Sequence, residues 1–315
     1  MRGLKVNPTP HLHSDLPQPI PGGDEVLIQV LLAGICRTDL EIAQGYLPFT
    51  GIIGHEFVGR VVAAPQHSHW LGKRVVGEIN VPCGDCPPCQ HQLPNHCLKR
   101  QAIGIHQRDG CMADFLTLPV TNLHEVPTAV SDEEAVFTEP LAAALAILEE
   151  HPVFPSQQVA VVGDGKLGLL IAQILALTGC VVTILGHHPE RKAWLSFPNI
   201  HWLDNPQPQQ QDMVVECSGS PQGLQTALHM VRSKGKIILK TTTHAPMTWP
   251  GNELVVREIT LAGSRCGPFP PALQLLARKA VQVTPLITAI QPLQEAVAAL
   301  LHSQQPGVMK ILLQP

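Results

Sequence analysis

Aromatic residues, charge and long apolar runs are all scarce in this chain. Phe, Trp and Tyr make up 4% of its 315 residues, which leaves few rings on which nucleic-acid bases could stack. Charged residues are 15% of the total, and 21 Lys and Arg against 25 Asp and Glu give a net charge of −4. Without a basic surplus there is no electrostatic footprint for nucleic acid or an anionic membrane. The N-terminal stretch through Val30 has no continuous apolar core of signal-peptide type. The most apolar long stretch, residues 167–185, is interrupted by Gln173, Thr178, Gly179 and Thr183. It reads as a helix followed by a strand, not a membrane span. A cytoplasmic location is expected, and there the 9 cysteines should be thiols or metal ligands, not disulfides.

What is present suffices for two domains with a sizeable core: 44% apolar residues, and 30 prolines that set turns along the whole chain. Three textures follow one another. Residues 1–140 are rich in Pro, Gly, His and Cys, with short β-rich runs such as Glu25-Val26-Leu27-Ile28-Gln29-Val30, the pattern of an irregular, rolled antiparallel sheet. In residues 141–266 apolar strands (159–162, 181–185, 213–217, 237–240) alternate with helical patterns (167–177, 189–195, 221–231). That alternation predicts a parallel sheet with helices on both faces. Residues 267–315 return to short pieces, at 286–290 and 309–313, and are expected to rejoin the first domain.

Cys83, Cys86, Cys89 and Cys97 form C-x2-C-x2-C-x7-C. Such gaps let thiolates converge on one tetrahedral ion, and four ligands leave no place for an outside one. This is the signature of a structural zinc site, although thiolates also serve iron–sulfur clusters. A second constellation is more dispersed. Cys36, with Thr38 and Asp39, and His55-Glu56 together offer a thiolate, an imidazole and a carboxylate. Three such ligands with an open fourth position mark a catalytic zinc, which polarises an alcohol oxygen. Thr38 stands where a hydroxyl can pass on the substrate proton, and Asp39 where a carboxylate can orient His55. Thr38 and Asp39 also suit an ordinary helix N-cap before Leu40-Glu41-Ile42.

The apolar run ending at Val162 is followed by Gly163, Asp164, Gly165, Lys166, Leu167 and Gly168, a G-x-G-x-x-G between a strand and a helix. The first glycine makes the turn, the second admits the pyrophosphate, and the third packs helix on strand. In NAD sites an acid near the end of the next strand receives the ribose hydroxyls. Gly186 stands there instead, followed by His187, His188 and Arg191. Missing acid plus nearby donors tilts the expectation from NAD toward NADP; Glu190, pointing back to the ribose, would reverse it.

Taken in order, these motifs resemble the zinc-containing medium-chain dehydrogenase/reductase family, especially its polyol and threonine dehydrogenase branch. Asp109 to Phe115, Glu139-Pro140-Leu141-Ala142 and Gly307-Val308-Met309-Lys310 extend the resemblance over nearly the whole chain. It implies a GroES-like irregular β-barrel catalytic domain plus a Rossmann-type doubly wound parallel sheet. It also implies two zinc ions per chain and an alcohol or polyol substrate oxidised with NAD(P). Cys36 and His55 match the catalytic zinc ligands, Glu56 a glutamate that binds the ion or exchanges with water, and Glu139 a further ligand of the polyol branch. Relatives of this type are usually homodimers or homotetramers. The chain is shorter than typical relatives, and Cys111 stands where they often have Gly. Two other readings share the motifs: an NADPH-dependent aldehyde or ketone reductase, and a cofactor-binding, redox-sensing protein without turnover.

Overall fold

The computed structural model describes residues 1–242, 245–246 and 248–315. The chain divides into two compact units: Met1–Glu139 with Phe269–Pro315, and Pro140–Pro268.

The first unit is organised around one long strand, Glu25–Gly34, whose Val, Ile and Leu side chains are nearly all buried. Three strands attach to it, all antiparallel: Glu56–Ala63, Phe115–Pro119 and, from the C-terminus, Lys310–Gln314. Glu56–Ala63 passes the sheet on to Arg74–Gly77 and Leu123–Glu125. At the edge of this sheet Ile287–Pro292 runs parallel beside Lys310–Gln314. A parallel pair needs a crossover, and the helix Ala296–His302 lies in that connection. Val26, Ile28, Val30, Phe57, Val61, Leu118, Ile311 and Leu313 fill the core. Ile311 and Leu313 are distant in sequence from the rest, so the C-terminal segment completes this core instead of standing alone.

The second unit is a six-stranded sheet. Its spatial order is Ile200–Leu203, Val181–Leu185, Gln158–Val162, Gln211–Glu216, Val231–Leu239, Thr260–Gly263, and every neighbouring pair is parallel. Counted along the chain this is 3-2-1-4-5-6, the doubly wound dinucleotide order, with its direction reversing between the first and fourth strands. The helix Lys166–Ala176 is buried along almost its whole length, which explains why its sequence is apolar all round.

Several elements differ from the sequence pattern, among them the outer strands Ile200–Leu203 and Thr260–Gly263, which the alternation did not include. The helix expected over 189–195 is a 3-10 helix, Pro189–Trp194. Pro198 follows closely, and a proline biases the residue before it away from helical backbone. The strand expected at 237 begins at Val231, directly after the helix Gly223–Met230. Its first part, Arg232, Ser233 and Lys234, is exposed, so no apolar alternation announces it. Among the described residues, no helix is long and apolar enough to cross a membrane.

Candidate metal centres and dinucleotide loop

Strand register builds the first centre. Gly34 pairs with Glu56, so the chain leaving the long strand reaches Cys36 beside the start of the neighbouring strand, where His55 and Glu56 lie. One ligand atom each from Cys36, His55 and Glu56 falls within 4.8 Å of the others. At Gly34 an added Cβ would stand 2.6 Å from Glu56 Oε2 and 2.8 Å from Val136, so a larger residue would have to displace the carboxylate of the cluster. Gly54 holds φ +98°, and a Cβ there would meet Met112 at 2.6 Å.

Cys36 precedes the helix Arg37–Ala43. Asp39, fully buried in its first turn, faces two ways. Its Oδ2 accepts the Cys36 backbone N–H at 2.7 Å, and its Oδ1 faces His55 Nδ1 at 3.4 Å. The N-cap is Cys36, not Thr38 or Asp39 as expected; Asp39, at the third helical position, accepts the Cys36 amide and faces the imidazole with the same carboxylate. Burial opposes a charge on His55, but Asp39 and Cys36 outweigh it and hold the imidazole well above its ordinary pKa. Thr38 Oγ1 lies 4.0 Å from Cys36 Sγ.

Lys310 is the residue whose part the sequence did not disclose. It is 1% exposed. Its ammonium binds Glu56 Oε2 and donates to the Ile35 carbonyl at 3.3 Å. Burial works against that charge, yet Glu56, Cys36 and Glu139 together raise the lysine pKa. A lysine inside the apolar run of residues 309–313 was the available signal, since a lysine is almost never buried without a partner. Glu139 lies in the first turn of the helix Thr138–Glu150, close enough to act on Lys310. It is not among the three residues whose donor atoms converge. Cys111 is fully buried, its Sγ 3.6 Å from the Glu56 carbonyl, and burial pushes its thiol pKa up.

The second centre is local. The Cys86–Cys89, Cys86–Cys97 and Cys97–Cys83 sulfur pairs are 3.5, 3.7 and 3.5 Å apart. Sulfurs about 2.3 Å from a tetrahedral zinc stand about 3.8 Å from one another, so the four thiols fit such an ion. Cys86 leads into the short helix Pro87–Gln90, and Cys97 follows the 3-10 turn Pro94–His96. The Cys83 backbone N–H points at Cys97 Sγ at 3.3 Å. Backbone amides of Cys89 and Leu98 pull the Cys86 thiol down to about 6, whereas the Asp85 carboxylate pushes Cys83 up to about 12.

In the second unit the glycine loop has the form the spacing predicted. Gly163 takes φ +117° where the first strand ends, and a Cβ there would press on the Cys217 and Ser218 backbone at 2.9 Å. Gly165, at the N-terminus of the helix Lys166–Ala176, faces open space. A Cβ on Gly168 would lie 2.0 Å from the Gly163 carbonyl oxygen, which is the close helix–strand packing required of the third glycine. Lys166 and Leu167 are half-buried in the first helical turn. At the end of the next strand His187 is exposed and His188 half-buried, while Arg191 is turned inward onto Asp164.

Known proteins resemble the whole of this arrangement. Residues 22–128 match the alcohol dehydrogenase GroES-like domain. The chain is 28% identical to a sorbitol dehydrogenase of Halalkalibacterium halodurans, over 95% of this chain and 94% of that one. In sequence the chain is similar to the zinc-type medium-chain dehydrogenase/reductase family. A structure named as a zinc-binding dehydrogenase from Sinorhizobium meliloti, bound to NADP, superposes with a TM-score of 0.90 at 26% identity, covering 100% of this chain and 99% of that one. An alcohol dehydrogenase from Escherichia coli CFT073, complexed with NADH, shares the fold with a TM-score of 0.89 at 24% identity and the same coverage. This medium-chain dehydrogenase relative therefore combines a GroES-like domain with a Rossmann-type sheet. It is an oxidoreductase of the alcohol-dehydrogenase type.

Proposed function

We propose that this protein is a zinc-dependent oxidoreductase that passes a hydride between the carbinol carbon of a secondary alcohol or polyol and a nicotinamide cofactor. The observation that carries the proposal is the convergence of Cys36, His55 and Glu56 in a chain that also holds a complete glycine loop at the head of a doubly wound sheet. A thiolate, an imidazole and a carboxylate are a donor set suited to zinc with one position left open.

Zinc bound there would supply Lewis acidity, lowering the pKa of a substrate hydroxyl. The chain's own residues do the rest. Cys36 and His55 would hold the ion. Asp39 fixes the orientation of His55 and, through the Cys36 amide, the position of the thiolate loop. Thr38, next to Cys36 Sγ, is the first acceptor for the substrate proton. Glu56 completes the donor set, and Lys310 restrains its carboxylate. Glu139 is a reserve ligand that would need its carboxylate to move toward the cluster. The residues Gly163, Gly165 and Gly168 bring backbone amides to the cofactor pyrophosphate. Cys83, Cys86, Cys89 and Cys97 would hold a second zinc, one that shapes their lobe and takes no part in the reaction.

The reverse reaction, reduction of an aldehyde or ketone, uses the same groups, and assay in both directions with both cofactors separates the two. Assembly as a homodimer or homotetramer belongs to the same reading and is measurable by light scattering. Metal analysis together with Cys36→Ala is the decisive test. Two zinc ions per chain should fall to one, and turnover should vanish while NAD(P)H binding persists. Full activity in Cys36→Ala would refute the proposal. One zinc per wild-type chain and no turnover would favour a cofactor-binding sensor.

A further inference from the structure

Gly186 leaves vacant the strand-end position from which dinucleotide folds usually supply an acid to the ribose. The structure fills that place from another direction. Asp164, the residue after the first glycine of the loop, lays its side chain across Gly186. A Cβ added to Gly186 would stand 2.3 Å from Asp164 Cγ and 2.4 Å from both its Cβ and its Oδ2. No residue other than glycine fits there while Asp164 is in this position.

Three groups hold the carboxylate. The His188 backbone N–H donates to Oδ2 at 2.8 Å. His188 Nδ1 lies 3.1 Å from each oxygen. Arg191 Nη1 stands 3.3 Å from Oδ1 and donates to the Asp164 carbonyl at 2.8 Å. Asp164 and Arg191 are each 5% exposed. An ionised carboxylate offers about four acceptor sites, so these donors leave room for one more, a ribose hydroxyl.

We propose that Asp164 is the carboxylate that receives the adenosine ribose, and that with Arg191 it selects NAD(H) over NADP(H). The inference rests on the dinucleotide reading of the glycine loop. It reverses the expectation from composition, in which a missing acid and nearby basic residues pointed to a 2′-phosphate. The acid is present, carried by the glycine loop. The arginine that would have gripped the phosphate is already paired and buried. A 2′-phosphate would bring its negative charge against a carboxylate in a place where solvent screens poorly. A ribose 2′-hydroxyl would instead donate to it.

Calorimetric titration of the purified chain with ADP-ribose and with 2′-phospho-ADP-ribose tests this without calling on zinc or turnover. The wild-type protein should bind ADP-ribose at least about ten-fold more tightly. Asp164→Asn keeps the side chain's shape, removes its charge and leaves Arg191 without a carboxylate partner, its bond to the residue-164 carbonyl remaining. It should shift the preference by about ten-fold or more toward the phosphorylated ligand. Asp164→Ser should do the same and serves if the amide variant does not fold. Equal or tighter wild-type binding of 2′-phospho-ADP-ribose would overturn the proposal and leave the dinucleotide site standing. So would variants that weaken both ligands equally, the mark of a merely structural role. Failure of the wild-type protein to bind either ligand would remove both readings together.

Discussion

The two cysteine-bearing centres solve the same problem by opposite routes. The lobe at Cys83, Cys86, Cys89 and Cys97 gathers its ligands from one short segment. Turns at Pro87, Pro88 and Pro94 and a positive φ at Gly84 do locally what a core does elsewhere. The Cys36–His55–Glu56 centre has no local logic. It exists because Gly34 pairs with Glu56 across two strands, because Asp39 ties the Cys36 amide to His55, and because Lys310 returns from the C-terminus to hold Glu56. A closed set of four thiolates suits a fixed ion. A set of three assembled from separate elements keeps a position open, and each supporting element becomes a point at which the site can be loosened.

Paired substitutions break the comparison most sharply. Cys36→Ala should lower kcat/KM by about a thousand-fold or more, with little change in thermal stability, because Lewis-acid activation supplies several kcal/mol of the barrier. Cys97→Ser should do the reverse. Its primary effect is a Tm lower by about 10 °C, or loss of soluble protein, since a structural zinc contributes directly to folding. Zinc analysis and calorimetric unfolding of both variants check the pair, and equal stability losses would erase the distinction between a working and a structural ion.

Lys310→Met comes next. It strands a buried Glu56 carboxylate without its cation, a change that destabilises by about 3–5 kcal/mol, readable by denaturant unfolding. Bound zinc should recover part of that loss, because the freed carboxylate then has the ion to itself. A smaller effect is expected of Asp39→Asn. Weakening the group that orients a metal-binding imidazole lowers metal affinity by about 10–100-fold, measurable by competition with a chelator. The four-thiolate lobe should show no change in the same titration.

The smallest effect lies away from both centres. Glu134 accepts from the Ser131 amide and from Lys279, joining the segment before the dinucleotide unit to the one after it. Burial pushes its carboxyl up, but Lys279 and Ser131 prevail and hold it below the usual glutamate range. A depressed pKa stabilises the fold above the unfolded glutamate value and loses that contribution as pH falls through the folded one. Glu134→Gln should therefore be less stable than wild type at pH 7, by about 0.5 kcal/mol or less for so exposed a pair. The difference should close as the pH falls below about 4, as unfolding curves at both pH values would show.

Legibility followed sequence distance. The C-x2-C-x2-C-x7-C spacing and the G-x-G-x-x-G loop each lie within a short segment and could be read directly, and the alternation of strands with helices was legible apart from the outer strands Ile200–Leu203 and Thr260–Gly263. Cys36, His55 and Glu56 were legible as residue types, but their convergence depended on strand register. Lys310 was hidden among apolar neighbours. Glu139, which the family pattern put on the metal, lies outside the converging set. At Gly186 a correct observation, the absent acid, supported an expectation of NADP, whereas the position of Asp164, which only the fold reveals, carries the opposite proposal.

By itself the sequence determined the alternation of strands and helices, the thiolate lobe and the glycine turn, because each is encoded by backbone propensities and spacings that act over a few residues. Only the tertiary structure decided which carboxylate joins Cys36 and His55, which cation restrains it, and where the charge of Asp164 falls. Those outcomes depend on which side chains burial forces into contact. A buried charge has to find its partner wherever in the chain that partner lies.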